Sequence, residues 1–213
     1  MEMNEILGLS PVIPVVRLTK LEQCGPLAEA LLTGGVRIIE VTLRSDIALH
    51  AISKLATEFP ELIVGAGTII STKNALDAVD NGARFIVSPG VNVDLENNLD
   101  KIQVPFLPGT SSISDMMKLL EKGFRYLKFF PAASSGGIGF LKAIHPVLPD
   151  LKFCPTGGIN EENAKDWLAL PNVLCIGGSL IASDKLILDK KWEEIRNRAS
   201  WVSKLKPKPK PKL

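Results

Sequence analysis

Two short apolar runs in this sequence carry charges where apolar residues are expected. The first is Arg37-Ile-Ile-Glu-Val-Thr-Leu-Arg44. Along a strand, successive side chains alternate between faces. Ile39, Val41 and Leu43 then share one face, and Glu40, Thr42 and Arg44 share the other. The second run is Tyr126-Leu-Lys-Phe-Phe-Pro131, with Leu127 and Phe129 on one face and Tyr126, Lys128 and Phe130 on the opposite one. A charge on a strand buried from both sides is costly unless paired, which makes it a candidate for chemistry. Burial favours the neutral form of an amine. A neutral amine is what attack on a carbonyl carbon requires, with a Schiff base as the product. A neighbouring carboxylate such as Glu40 can take and return protons, although it also favours the ammonium. The guanidinium fork of Arg44 matches a substrate carboxylate. The competing reading of both runs is a static ion pair without chemistry.

A third group consists of two glycine pairs, in Cys154-Pro-Thr-Gly-Gly-Ile159 and in Ile176-Gly-Gly-Ser179. Glycine lets backbone N–H groups approach an anion, so these two turns are candidates for a phosphate seat. Tight turns without a ligand are the alternative. Gly65-Ala-Gly67-Thr68 follows an apolar run, but the dinucleotide fingerprint wants Gly at position 70, where Ile stands. Neither G-x-x-x-x-G-K-[ST] nor G-x-S-x-G occurs. Thr68, Ser88 and Thr110 sit at the ends of apolar runs, where substrate contacts are placed in a barrel.

The elements that must position these residues repeat one pattern. Strands are predicted at 12–18, 37–43, 62–68, 84–88, 105–107, 126–130, 152–155 and 173–176. Between them lie amphipathic segments. Ala48, Ile52, Leu55 and Phe59 recur at helical steps, as do Ile113, Met116, Met117 and Leu120, and Trp192, Ile195, Ala199 and Val202. Gly35, Gly82 and Gly123 stand where helix C-caps are expected. Strand starts are 21 to 26 residues apart, enough for a strand, a short helix and two loops. Eight such units predict an α/β fold, a (β/α)8 TIM barrel, with 1–9 forming a short helix before the first strand. An open doubly wound sheet is the alternative. Residues 1–203 are read as one barrel domain and 204–213, KLKPKPKPKL, as an extended Lys/Pro tail.

Composition excludes several classes. The 213 residues are 46% hydrophobic and 23% charged, too apolar for a disordered chain and too charged for a membrane bundle. The net charge of +2 comes from the tail; without it the chain holds 20 basic and 23 acidic residues. A nucleic-acid partner is therefore not expected. No apolar run approaches the length of a membrane span, and the N-terminus, with Glu2 and Glu5 and no basic stretch, does not read as a signal peptide. Three cysteines at wide spacing fit neither a disulfide framework nor a zinc site, and His50 and His145 are too few for a metal cluster. A cytoplasmic protein without metal or cofactor is expected.

Taken together, these residues resemble the class I 2-keto-3-deoxy-6-phosphogluconate (KDPG) aldolase family, often bifunctional with 4-hydroxy-2-oxoglutarate (KHG) aldolase. The resemblance runs from about residue 10 to about residue 185. It rests on Glu40-Val-Thr-Leu-Arg44, Gly65-Ala-Gly-Thr68, Ser88-Pro-Gly90, Pro108-Gly109, Lys128-Phe-Phe-Pro131, Cys154-Pro-Thr-Gly-Gly158 and Gly177-Gly-Ser179. It implies Lys128 as the Schiff-base lysine and Glu40 as the general acid and base. It implies Arg44 and Thr68 on the pyruvyl carboxylate, Pro89 and Phe130 beside the reacting carbons, and Gly157, Gly158 and Ser179 at the phosphate. The implied substrates are a phosphorylated 2-keto-3-deoxy sugar acid and pyruvate, and the implied assembly is a homotrimer. Many members have Glu where this chain has Ala133 and Trp where it has Leu180. Both positions fall near the expected mouth of the site. Other outcomes are an aldolase for the 6-phosphogalactonate analogue and a non-catalytic barrel that binds a phosphorylated metabolite.

Overall fold

The structure is a computed structural model that describes residues 1–205. The chain alternates strands and helices. In order it runs α1 (Met3–Leu7), β1 (Val12–Val16), α2 (Cys24–Thr33), β2 (Ile38–Thr42), α3 (Ala48–Glu58), β3 (Ile63–Gly67) and α4 (Thr72–Asp80). β4 (Phe85–Val87), α5 (Val93–Asn97), β5 (Phe106–Leu107), β6 (Gly109–Thr110), α6 (Ile113–Glu121), β7 (Tyr126–Phe129) and α7 (Gly137–Ile144) follow. β8 (Lys152–Pro155), α8 (Ala164–Leu168), β9 (Ile176–Gly178), α9 (Asp184–Leu188) and α10 (Trp192–Ser203) complete the fold. Of the tail expected from 204 onward, residues 206–213 lie outside the described residues.

Local chemistry explains many of the boundaries. Ser71, Asn92, Ser112 and Ser183 each accept a hydrogen bond from a backbone N–H in the first turn of α4, α5, α6 and α9, which satisfies a donor the helix leaves open. Gly35, Gly82 and Gly123, at the expected helix ends, all have positive φ. Met3, Ile6 and Leu7 of α1 are buried against the core, as a helix covering the strand starts requires.

Every strand pair is parallel. Six strands form one sheet in the order β5-β4-β3-β2-β1-β9, and three form another in the order β6-β7-β8. The strands curl into a half-barrel with the helices outside. The strand–helix layer is largely apolar; buried Asn172 is an exception, donating to Leu141 O of α7 at 2.9 Å. Phe129 of β7 stacks on Phe140 of α7 at 5.3 Å between ring centroids and meets Phe153 of β8 edge-on at 6.5 Å. Phe129 and Phe153 are fully buried, and each contributes about 1.5–3 kcal/mol.

Two expected strands differ from those observed. The run near residue 105 forms β5 and β6, separated at Pro108, which has no N–H to donate to a ladder. Its carbonyl still accepts from Lys128 N at 2.9 Å, so the chain passes from β4 on one side to β7 on the other. The last strand was expected at 173–176 and lies at Ile176–Gly178, with Val173 making only an isolated bridge to Phe153. Gly177 and Gly178 therefore belong to a strand paired with Ile13 and Pro14, not to the turn that follows it.

Candidate active site

Parallel strands place all their C-terminal ends on one rim, and the sequence-predicted residues gather there. Glu40 and Lys128 are 88 positions apart in sequence, on different sheets, yet Lys128 Nζ donates to Glu40 Oε1 at 3.5 Å. The Lys128 side chain is 7% exposed and the Glu40 side chain 5%. This separation is long for a charge-assisted hydrogen bond, whose usual range is about 2.7–2.9 Å. The amine is held in reach of the carboxylate without being clamped by it. Phe130 supplies the aromatic neighbour, with its ring centroid 5.2 Å from Nζ. Tyr126, expected to flank the amine on the other side, instead opens β7 near the opposite rim, lining a cavity with Met1, Met3 and Phe106.

Arg44 lies two residues past the end of β2 and is exposed. Its Nε donates to Thr42 Oγ1 at 3.2 Å, and the Thr42 hydroxyl donates in turn to Val16 O at 2.9 Å. The guanidinium is thus tied to the rim through a buried hydroxyl. Thr68 follows β3 with φ of 62°, a left-handed conformation that is rare for a β-branched residue and that concentrates at functional sites. Pro89 follows β4, and buried Ser88 accepts from Gly109 N at 3.2 Å. A side chain at Gly109 would run into the Pro89 carbonyl, so the two loops touch through backbone.

Gly157 and Gly158 follow β8 with φ of 101° and 75°. Ala132 N donates to Thr156 O and Ala133 N to Gly157 O, which stitches the loop after β7 to the loop after β8. Gly158 packs directly against Ala133. Ser179 follows β9 and is exposed.

Some rim features were not singled out from the sequence. Arg17, one residue beyond β1, pairs with Asp184 at 2.8 Å at the start of α9. A charge directly after an apolar strand was the available signal, the same one that marked Arg44. Thr156 is buried, and its hydroxyl fills the space left by the missing side chain of Gly177. A cavity of about 220 Å³ opens beside Pro89, Gly90, Gly109 and Thr110 toward α6, walled by the Glu96–Lys122 pair. Among the described residues, no cluster of three His, Cys, Asp or Glu side chains could hold a metal ion.

A buried amine beside a carboxylate, with cationic and glycine-rich loops around the mouth, suits condensation with an anionic carbonyl compound followed by proton transfer. Comparison with known proteins points the same way. A family model for KDPG and KHG aldolase matches residues 3–198. The chain is 42% identical over 196 residues to a 2-dehydro-3-deoxy-phosphogluconate aldolase of Pseudoalteromonas atlantica, covering 92% of this chain and 91% of the relative. It is 44% identical over 184 residues to a KHG/KDPG aldolase of Escherichia coli, covering 86% of each. Among solved structures, a KDPG aldolase from Legionella pneumophila, with pyruvate captured as a covalent carbinolamine intermediate, superposes with a TM-score of 0.93 at 44% identity. That match covers 95% of this chain and 98% of the other.

Proposed function

The chain belongs to the KDPG and KHG aldolase family, and from that membership we propose how its own residues carry out the reaction. The protein is a lyase, a class I aldolase that cleaves 2-dehydro-3-deoxy-6-phosphogluconate to pyruvate and glyceraldehyde 3-phosphate. KHG, which would give pyruvate and glyoxylate, is the second substrate class.

Lys128 Nζ attacks the C2 carbonyl, and the carbinolamine loses water to give an iminium. Glu40, acting through a water, takes the proton from the C4 hydroxyl. The C3–C4 bond breaks, its electrons pass into the iminium, and the aldehyde leaves. The enamine that remains is protonated at C3 by the same carboxyl group, and hydrolysis releases pyruvate and restores the amine. Proton transfer by a positioned group of this kind is worth about 10²–10⁴-fold in rate. Arg44 and Thr68 hold the pyruvyl carboxylate, Pro89 and Phe130 flank the reacting carbons, and Gly157, Gly158 and Ser179 seat the phosphate.

The observation that carries this reading is the buried Lys128–Glu40 pair at 3.5 Å. An amine and a carboxylate taken out of water together gain little over apolar residues of the same size, and chemistry accounts for their presence. The test is to mix the protein with pyruvate, reduce with borohydride and map the adduct by mass spectrometry. Modification at Lys128 is expected; folded protein with no adduct there would sink the assignment.

The finer architecture that goes with this reading is a closed eight-stranded barrel formed by residues 1–203, with β5 and β6 as one strand interrupted at Pro108. The bridges Phe153–Val173 and Thr156–Gly177 support it, since they join β8 to the segment that carries β9. A homotrimer and a cytoplasmic location also go with it. No helix among the described residues is long and apolar enough to cross a membrane. Light scattering on the eluting peak of a sizing column reads the assembly directly.

A further inference from the structure

Gly65-Ala-Gly67 matches no cofactor motif, and the reaction described above gives it no part. Its two glycines lie opposite Glu40 and Thr42 in the β2–β3 register, with Glu40 paired to Gly65 and Thr42 to Gly67. Residues paired across parallel strands share a face, so both glycines look into the interior that holds Glu40. Neither has a positive φ, so the backbone tolerates a side chain at both positions. Space is what excludes one. A methyl group at Gly65 would stand 2.2 Å from the ring of Phe85. A methyl group at Gly67 would stand 2.0 Å from Glu40 Oε1, 2.7 Å from its Cδ and 2.8 Å from its Cγ. Oε1 is the oxygen that faces Lys128 Nζ.

We propose that Gly67 is a positioning residue, whose missing side chain is the seat of the Glu40 carboxylate and sets its distance from Lys128. The proposal rests on the aldolase reading of the Lys128–Glu40 pair. Three consecutive side-chain atoms of Glu40 collide with an added methyl, so rotating the carboxylate alone does not relieve the contact, and the outer side chain has to swing away. β3 cannot retreat instead. It lies between β2 and β4 inside the six-stranded sheet, and Val64 and Ala66, which point to its other face, are fully buried. Lys128 sits on the other sheet, and none of its atoms is among those nearest the added methyl. A side chain at 67 therefore separates two functions, leaving the amine able to condense and removing the proton carrier from its place.

The test compares wild type, Gly67→Ala, Glu40→Asp and the double variant. The first readout is the Lys128–pyruvate adduct after long incubation with borohydride. The second is the rate at which the pyruvate methyl group exchanges protons for deuterium, which reports proton transfer at C3. Gly67→Ala is expected to form the adduct as wild type does while exchange falls about 10²-fold. Asp is one methylene shorter and removes the closest of the three contacts, the one made by Oε1. The double variant is therefore expected to exchange no more slowly than Gly67→Ala, whereas independent effects would multiply. Exchange in Gly67→Ala within about threefold of wild type, or fully multiplicative losses in the double variant, overturns the proposal. If Gly67→Ala does not fold, Gly67→Ala/Glu40→Ala is expected to be as stable as Glu40→Ala alone, because the colliding side chain is gone; a double variant that unfolds where Glu40→Ala folds also overturns it. A wild-type protein that forms no adduct at Lys128 overturns the aldolase reading itself.

Discussion

Replacing Lys128 by Met removes one partner of a buried ion pair and strands the other. At 3.5 Å and an effective dielectric of about 20, the attraction lost is about 4.7 kcal/mol. Breaking a buried pair costs about 3–5 kcal/mol, because a carboxylate only 5% exposed is left without its charge partner. For a chain of this length, each kcal/mol shifts the melting temperature by about 2–4 °C, so Lys128→Met should melt about 6–20 °C below wild type. Removing the second charge as well changes the sign of the argument. In Lys128→Met/Glu40→Leu both desolvation penalties vanish, and the interior is filled with apolar groups of similar volume. This variant should be as stable as wild type or more so. The assay is denaturant unfolding followed by circular dichroism on wild type, both single variants and the double, which closes a thermodynamic cycle. All three variants should be inactive, so stability is read independently of catalysis. A double variant whose loss equals the sum of the two single losses would refute the coupling, and with it the view that the pair is kept for chemistry at the expense of stability.

Three further outcomes follow from the same geometry. Arg44→Ala should lower kcat/KM by about 10–100-fold, the worth of a charged hydrogen-bonded contact to the substrate carboxylate; steady-state kinetics within twofold of wild type would remove Arg44 from the site. Ser179→Glu should abolish the preference for phosphorylated over unphosphorylated aldols by placing a like charge at the phosphate seat; the ratio of kcat/KM on the two substrates checks it. Cys24 is fully buried at the start of α2, and desolvation pushes its thiol up from 9.0 to about 11. Above pH 9 the unfolded chain releases this proton while the folded chain keeps it, so stability falls between pH 9 and about 11, by about 2–3 kcal/mol in all. Cys24→Ala should flatten that alkaline limb relative to wild type in unfolding experiments at pH 8, 9 and 10, and parallel curves would contradict the assignment.

Much of this protein was legible without coordinates, and the reason is periodicity. The two-residue repeat of a strand placed Glu40 and Lys128 on interior faces, and the spacing of apolar runs predicted alternating strands and helices. Glycine at 35, 82 and 123 marked helix ends because few other residues take positive φ there. These are local properties, written within a few residues of where they act. The meeting of Glu40 with Lys128 across 88 positions is not local. A strand pattern states which way a side chain faces, not which other strand it will meet, and only the curling of the sheets brings those two faces together. The same holds for Gly67, an unremarkable strand glycine until Glu40 is seen to occupy the volume beside it. It holds as well for Gly177 and Gly178, expected in a turn and found pairing with β1. Residue types and their spacing determined the chemistry available to this chain, and packing decided which groups stand close enough to perform it.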